Sequence, residues 1–484
     1  MLDDATAGRL RDALEAADFT ADAVYAVLGD EAHRALTRNQ VAPALRATRG
    51  GSPLETLVRL FSLQAGVPRR EVDAALPGLV GGLAAGGLLA VDGDAVRAAV
   101  DVRPYGDETH DWWVVCDLTP GLDAPLAPMD PEHVLGISEA SSSLAGLVVR
   151  EPVGRALDLG TGCGVQGLHL AQHADRVVAT DVNPRALAMA DLTSRLNEVP
   201  FEVRAGSLYE PVVRERFDLI ATNPPFVVSP PEGDRLVYRE TGLPGDEVVR
   251  RVVTGAADHL APGGRCQVLA AWLHTADETW DERLAGWVSG TGLDAWIVQR
   301  EVLDLSAYTE MWLADMGVAP GPEHVARYDR WLSWFADQRI EAMGFGWITL
   351  RRADREVPDV RIETFAGEVV GPVATSVAEQ HRAVDALATD ALDVRWRRSA
   401  DVVQDTHGAP GADDPEAIVL RRTEGLVRAV QVDTVEAALV GACDGDLTAG
   451  AILDAVGSLL DRPGLRADYA DRVRALVADG FLIR

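Results

Sequence analysis

FDLIATNPPF, Phe217–Phe226, joins an apolar run to Asn-Pro-Pro-Phe near the middle of the chain. The run reads as a buried strand, so Asn223, Pro224, Pro225 and Phe226 stand at its tip. An asparagine side-chain oxygen and the adjacent carbonyl of Pro224 can together accept both N–H bonds of one NH2 group. A planar nitrogen is a poor nucleophile because its lone pair is delocalised into a carbonyl or a ring. Accepting both hydrogens favours pyramidalisation and aims the lone pair at a methyl donor. Consecutive prolines hold the carbonyl rigidly, since each fixes its φ, and Phe226 offers a flat face to a base or amide. Stabilisation of this kind develops with the transition state, so no strong general base is required.

A second constellation lies about 60 residues upstream, in ALDLGTGCGVQGLHLA, Ala156–Ala171. An apolar strand passes through Asp158 into Gly160, Thr161, Gly162 and Gly164, then into a helix. Glycines let the backbone turn sharply and a ligand approach closely. Between the two motifs, VVATDVNPRAL places Asp181, Val182 and Asn183 at the end of a further strand. The Asp181 carboxylate suits the two hydroxyls of a ribose. By themselves the loop and Asp181 indicate an adenosine-bearing ligand in a Rossmann-like fold; Asn-Pro-Pro-Phe shifts the reading from hydride transfer to nitrogen chemistry.

The elements that must position these residues follow a strand–helix rhythm from Ala156, the mark of a parallel α/β sheet. Strands are expected at Arg155–Leu159, Arg176–Asp181, Phe201–Ala205, Phe217–Thr222, Arg265–Leu273, Ala295–Val302 and Gly346–Arg351. The expected architecture is a seven-stranded Rossmann-like core with a helical, winged-helix-like N-terminal domain and a small α+β C-terminal domain. Its divisions are 1–100, a strand-rich linker at 101–137, the core at 138–353 with an insertion at about 303–343, and 354–484. Eight of the eleven tryptophans lie between Trp272 and Trp347, and that cluster reads as a core for an added helical pair. A polar linker is expected around Asp401–Pro415, followed by a hairpin and a second winged-helix-like unit.

Composition bounds the classes. The 484 residues are 47% hydrophobic, an ordinary globular proportion, and carry a formal charge of −30. That charge disfavours bulk nucleic-acid binding. Every basic residue is arginine or histidine, with no lysine, so arginine clusters reflect base composition rather than phosphate recognition. Cys116, Cys163, Cys266 and Cys443 stand far apart without metal-ligand spacing, and no metal is expected. Neither a signal peptide nor an apolar span is read, which points to the cytoplasm and away from membranes. His169 and His173, four apart, read as packing or surface residues.

DLGTGCG, TDVN and NPPF, in this order and spacing, resemble the class I S-adenosylmethionine-dependent methyltransferases of the branch that methylates planar nitrogens. The resemblance covers about Ser138 to Arg352. It implies that Asp158, Gly160, Thr161, Gly162 and Gly164 border the methionine end of S-adenosylmethionine, with S-adenosylhomocysteine as product. Asp181 would hold the ribose, Val182 and Asn183 would lie near the adenosine half, and Ser207 with Leu208 would occupy an adenine-contact position usually acidic at Ser207. Asn223, Pro224, Pro225 and Phe226 would hold the target. Two subfamilies are similar, the release-factor glutamine methyltransferases and the rRNA guanine-N2 methyltransferases. The first lacks a match at ISEASSSLAGLV, the second differs in its N-terminal half, and neither accounts for the C-terminal 130 residues. The implied partner is a macromolecule, protein or RNA/DNA. Alternatives are an S-adenosylmethionine-binding, nucleic-acid-associated regulator and a small-molecule N-methyltransferase. After the motif, Tyr238, Arg239, Glu240 and Asp246 are either substrate-recognising residues of a lid or solvated loop charges.

Overall fold

The computed structural model describes residues 1–107, 109–122, 130–231, 243–409 and 415–484. Contacts divide it into two units, Met1–Ala145 with Glu151–Thr364, and Phe365–Arg484 with Gly146–Arg150. Among the described residues, no helix is long and apolar enough to cross a membrane.

The first unit opens with helices α1 (Asp4–Ala16), α2 (Ala21–Leu36), α3 (Ala42–Ala47) and α4 (Pro53–Leu57). Their starts are written in the sequence. Asp3 and Thr20 accept backbone N–H bonds as caps, and Ser52 with Glu55 forms a reciprocal capping box. Strand β1 (Val67–Pro68), helices α5 (Arg69–Ala75) and α6 (Val80–Ala85), and strands β2 (Leu89–Asp92) and β3 (Ala95–Ala98) follow. The three strands pair in the order β1-β3-β2. Next comes the antiparallel hairpin β4 (Asp101–Gly106) and β5 (Asp111–Cys116), then α7 (Glu139–Leu147).

The core continues as β6 (Val153–Leu159), α8 (Val165–Ala171), β7 (Ala174–Asp181), α9 (Pro184–Leu196), β8 (Glu202–Ala205) and β9 (Phe217–Thr222). It ends with α10 (Glu247–His259), β10 (Leu260–Thr275), α11 (Trp280–Val288), β11 (Asp294–Asp304), α12 (Leu305–Asp315), α13 (Pro322–Asp337), β12 (Ile340–Arg351) and β13 (Val360–Thr364). Eight described strands pair in the order β13-β11-β12-β10-β9-β6-β7-β8. The expected seven are joined by β13, parallel to β11, because Val360–Thr364 continues the edge. β12 runs antiparallel to both β10 and β11.

N-terminal helices and core share one apolar interior, in which Leu10, Phe19, Phe61 and Trp113 pack with Leu168, Met189 and Leu192. Polar bonds fix the seam. Asn197, capping the end of α9, accepts from the Trp113 N–H at 2.9 Å and donates to its carbonyl at 2.8 Å. The Trp113 indole N–H donates to the Phe19 carbonyl at 2.7 Å.

β10, β11 and β12 outrun their expected ends. Val268 pairs with Thr222 at the tip of β9, yet β10 continues to Thr275 beside β12, and β11 extends to Asp304. Seven further residues add about 23 Å at roughly 3.3 Å each. This three-stranded wall carries α12 and α13, whose Tyr308, Trp331 and Phe335 form a separate core with Val227, Val228 and Met343.

In the second unit, β14 (Val369–Val370), α14 (Ala374–Ala386), β15 (Arg397–Arg398), β16 (Val402–His407), β17 (Ala417–Arg422), β18 (Gly425–Leu426) and β19 (Ala429–Val432) lead to α15 (Thr434–Ala442), α16 (Ala449–Leu459), α17 (Leu465–Ala478) and β20 (Leu482–Ile483). Among its described residues, the linker expected at Asp401–Pro415 contains a strand: Val402–His407 pairs residue by residue with β17. Asp401 within it is ion-paired to Arg422, so its polarity serves an internal contact. Trp396, Leu453, Val473 and Phe481 form this unit's interior.

Replacing Asn197 with alanine leaves a backbone N–H and a carbonyl of Trp113 unpaired at the seam. Asn197→Ala is expected to cost about 2 kcal/mol in chemical unfolding of the first unit. A loss below about 0.5 kcal/mol would show that water replaces the amide there.

Candidate active site

Strand register brings the singled-out residues to one level. Leu159 pairs with Thr180 on one side and Thr222 on the other, and Asp181 pairs with Ala205. The loops after these tips therefore start side by side: Gly160 after β6, Val182 after β7, Gly206 after β8 and Asn223 after β9. Between β6 and β9 the winding direction reverses, the position where open α/β sheets bind ligands.

A cavity of about 310 Å³ occupies this switch point. Asp158, Gly160, Thr161, Gly162, Asp181, Val182, Asn183, Ser207, Leu208, Asn223, Pro224 and Pro225 all line it. Gly164 and Phe226 do not. Gly164 has φ +87, and a Cβ there would stand 3.1 Å from Ala190 Cα, so it allows close packing of α8 on α9. Phe226 packs on the sheet core and meets Phe345 edge-on at 6.3 Å. By contrast Gly160 and Gly162, with φ of +78 and +55, have open space where a Cβ would project.

The acids differ in environment. Asp158 is fully buried and accepts from the Thr161 hydroxyl at 2.6 Å; burial pushes its carboxyl up to about 7. Asp181 accepts the Gly162 N–H at 3.0 Å and the Asn183 N–H at 2.9 Å. Burial raises its pKa, and those backbone donors oppose the rise. Asp181 thus both shapes the glycine loop and lines the cavity.

Both polar atoms of the Asn183 side chain have protein partners. Its Oδ1 caps α9 through the Arg185 N–H at 2.9 Å, and its Nδ2 donates to the Glu132 carbonyl at 2.8 Å. Ser207 is exposed, and its N–H donates to the Glu210 carboxylate at 3.3 Å. Leu208 lines the cavity in the left-handed region, φ +47, an uncommon conformation for a leucine.

Asn223 carries the most informative atom. Its Oδ1 is buried and has no hydrogen-bond partner among the described residues. A hydrogen-bond donor brought to such a buried acceptor is worth about 1–3 kcal/mol. Just before it, the Thr222 hydroxyl donates to the Leu159 carbonyl at 2.7 Å, tying this loop to the glycine-loop strand.

The sequence reading missed a strap over the cavity, comprising His133, Val134, Leu135, Gly136, Ser138 and Ser141. Asn183 holds it at Glu132, Asp117 accepts the Val134 N–H at 2.8 Å, and Gln166 Nε2 donates to the Ser141 carbonyl at 2.7 Å. Asp117 is itself ion-paired with Arg185. Each link joins residues far apart in sequence, so no local spacing could reveal them.

Asp246, read as either a substrate-recognising lid residue or a solvated loop charge, is instead a buried structural anchor. It is buried, accepts from both Arg283 terminal nitrogens at 2.6 Å, and accepts the Leu273 N–H at 2.9 Å. Tyr238, Arg239 and Glu240 lie outside the described residues. His169 is buried with its Nε2 2.8 Å from the Tyr105 hydroxyl and its ring edge-on to Trp112. Among the described residues, no group of His, Cys, Asp and Glu could hold a metal ion, and the four cysteines are buried and unpaired.

A parallel sheet with one antiparallel insertion, a glycine loop, a carboxylate at the second tip and Asn-Pro-Pro at the fourth define the class I methyltransferase fold. Comparison with known proteins agrees: residues 136–284 match the family described as methyltransferase small domain, and residues 16–99 match a domain of unknown function, DUF7059. The chain is 36% identical over 144 residues to a release factor glutamine methyltransferase of Xylella fastidiosa, covering 27% of this chain and 49% of that protein. It is 33% identical over 135 residues to a ribosomal RNA small subunit methyltransferase C of Mannheimia succiniciproducens, covering 28% and 37%. A ribosomal protein uL3 glutamine methyltransferase of Bradyrhizobium diazoefficiens is 35% identical over 136 residues, covering 25% and 42%. The chain thus spans half or less of the length of these relatives.

Because burial raises Asp158 to about 7, the folded chain keeps a proton there that the unfolded chain has lost. The associated stability is fully present below the unfolded value near 4 and is lost as pH rises through about 7. Between about pH 5 and about pH 8, the thermal midpoint of the wild type should therefore fall relative to Asp158→Asn, which does not titrate. Parallel profiles would mean that the carboxylate is ionised throughout.

Proposed function

We propose that this chain is an S-adenosylmethionine-dependent N-methyltransferase whose acceptor is a planar NH2 nitrogen on a macromolecule, a protein side-chain amide or the exocyclic amine of a nucleobase. The observation that carries the reading is the buried Asn223 Oδ1, without a partner among the described residues, beside Pro224 in a cavity shared with the glycine loop and Asp181. The relatives support it, since two are named for glutamine and one for ribosomal RNA. Amide and base amine present the same feature, two N–H bonds on a nitrogen whose lone pair is delocalised.

The residues present fit the donor. Gly160 and Gly162 leave room for close approach, Asp181 offers a carboxylate for ribose hydroxyls, and Asp158 with Thr161 lies beneath the loop. When bound, S-adenosylmethionine supplies a methyl group made electrophilic by its sulfonium. The chain's own contribution is orientation. Asn223 Oδ1 and the Pro224 carbonyl accept the two N–H bonds, which turns the nitrogen lone pair out of conjugation. Pro224 and Pro225 keep that carbonyl from reorienting, and the strap from His133 to Ser141 covers the donor. Phe226, which lies outside the cavity and packs against the sheet core and Phe345, supports the loop from behind.

The test is methyl transfer from radiolabelled S-adenosylmethionine into protein, nucleic-acid and small-molecule fractions of a source-cell lysate lacking this chain. Asn223→Ala should lower incorporation by about a hundredfold or more, with affinity for S-adenosylhomocysteine held within about threefold. Asp181→Ala should weaken that affinity by about tenfold or more. Full activity of Asn223→Ala would sink the reading. Label confined to small molecules would redirect it to metabolism.

A further inference from the structure

The inserted helices α12 and α13 carry a polar group that their own packing does not call for. Tyr308 is 1% exposed and lies among Trp331, Phe335 and Phe345, where a phenylalanine ring would fill the same space. Burying a hydroxyl there is unfavourable unless it is hydrogen-bonded. One hydrogen bond of this hydroxyl reaches the loop after Asn-Pro-Pro-Phe: the Val228 N–H donates to the Tyr308 hydroxyl at 2.8 Å, and the contact is buried.

We propose that Tyr308 is a positioning residue for the acceptor motif, acting through Val228; this rests on the N-methyltransferase reading above. Asn223–Val228 is then held at both ends. At its entrance the Thr222 hydroxyl binds the Leu159 carbonyl, and at its exit Val228 is bound by Tyr308. Phe345 completes the linkage, its ring meeting both Tyr308 and Phe226 at 6.2 and 6.3 Å. Val227 and Val228 are buried in the apolar core of the inserted pair. Within the loop Pro224 and Pro225 have no N–H to donate, nor do Pro230 and Pro231 just beyond. An acceptor site must be held to a fraction of an ångström to aim a lone pair. The inserted pair supplies that constraint from outside the sheet.

The experiment compares full-length wild type with Tyr308→Phe, which keeps the ring and deletes the acceptor. Tyr328→Phe serves as control: the Tyr328 hydroxyl bonds Glu310 at 3.1 Å on the exposed side of the same helical pair. Three quantities are read: backbone hydrogen exchange at Val228, affinity for S-adenosylhomocysteine, and kcat for label transfer into the lysate fraction that the wild type methylates. Tyr308→Phe should speed Val228 exchange by about tenfold or more and lower kcat by about tenfold or more. Affinity for S-adenosylhomocysteine should stay within about twofold, and Tyr328→Phe should match wild type throughout. Unchanged exchange at Val228 would overturn the proposal, as would a loss of S-adenosylhomocysteine affinity that accounts for the fall in rate. If the wild type transfers no label to any fraction, the enzymatic reading and this catalytic role fail together. Faster Val228 exchange with normal kcat would instead sink the positioning role alone.

Discussion

The structure depends on the register of four parallel strands. Because Leu159 sits between Thr180 and Thr222, and Asp181 beside Ala205, the loops that follow emerge from one edge at one height. A two-residue shift of β9 against β6 would move Asn223 by about 7 Å and separate it from the glycine loop. The register is locked where it matters: Thr222 reaches across to the Leu159 carbonyl, while the Gly160 and Thr161 N–H groups both donate to the Thr180 carbonyl. The chemistry of the site therefore begins as hydrogen bonding between strands, before any side chain meets a ligand.

That dependence explains what could be read from the sequence. Asn223, Asp181 and the Gly160–Gly162 turn were legible because each follows an apolar strand directly, and strand tips are local features. Gly164 was grouped with its neighbours by spacing alone. What distinguishes it is Ala190, on a helix whose approach to α8 no local pattern specifies. Asp246 looked like a free acid in a Pro- and Gly-rich stretch, whereas its partner Arg283 lies 37 residues further on. The strap over the cavity was illegible for the same reason. Asp117, Asn183 and Gln166 each hold it from a different element.

The tryptophan-rich insertion teaches a related lesson. Its composition suggested a packed helical pair, and Trp331 with Phe335 is buried around Tyr308, whereas Trp272 and Trp287 of the same cluster belong to the sheet core. Composition did not reveal the elongated β10, β11 and β12 that raise this pair beyond the sheet edge. Strand length is set by pairing, and each of these three extends because a neighbour continues beside it. A core added for packing thereby comes to rest against Val227 and Val228, the residues that follow Asn-Pro-Pro-Phe.

An amide at position 223 is chemically better suited to its surroundings than the carboxylate of similar shape. Nearby Asp158 shows what burial does to an acid here, lifting its carboxyl to about 7. An aspartate at 223 would face two poor choices. Ionised, it would be a charge taken out of water; protonated, one of its oxygens would carry a hydrogen and present a donor where the proposed acceptor also offers donors. Asparagine keeps a neutral acceptor at every pH the fold survives. The carbonyl of Pro224 has the same property, being uncharged and lacking any proton to lose. In the proposed reaction, two neutral acceptors would receive an NH2 group without drawing off its proton beforehand, so the nitrogen's rehybridisation would be coupled to bond formation rather than to the titration of the protein.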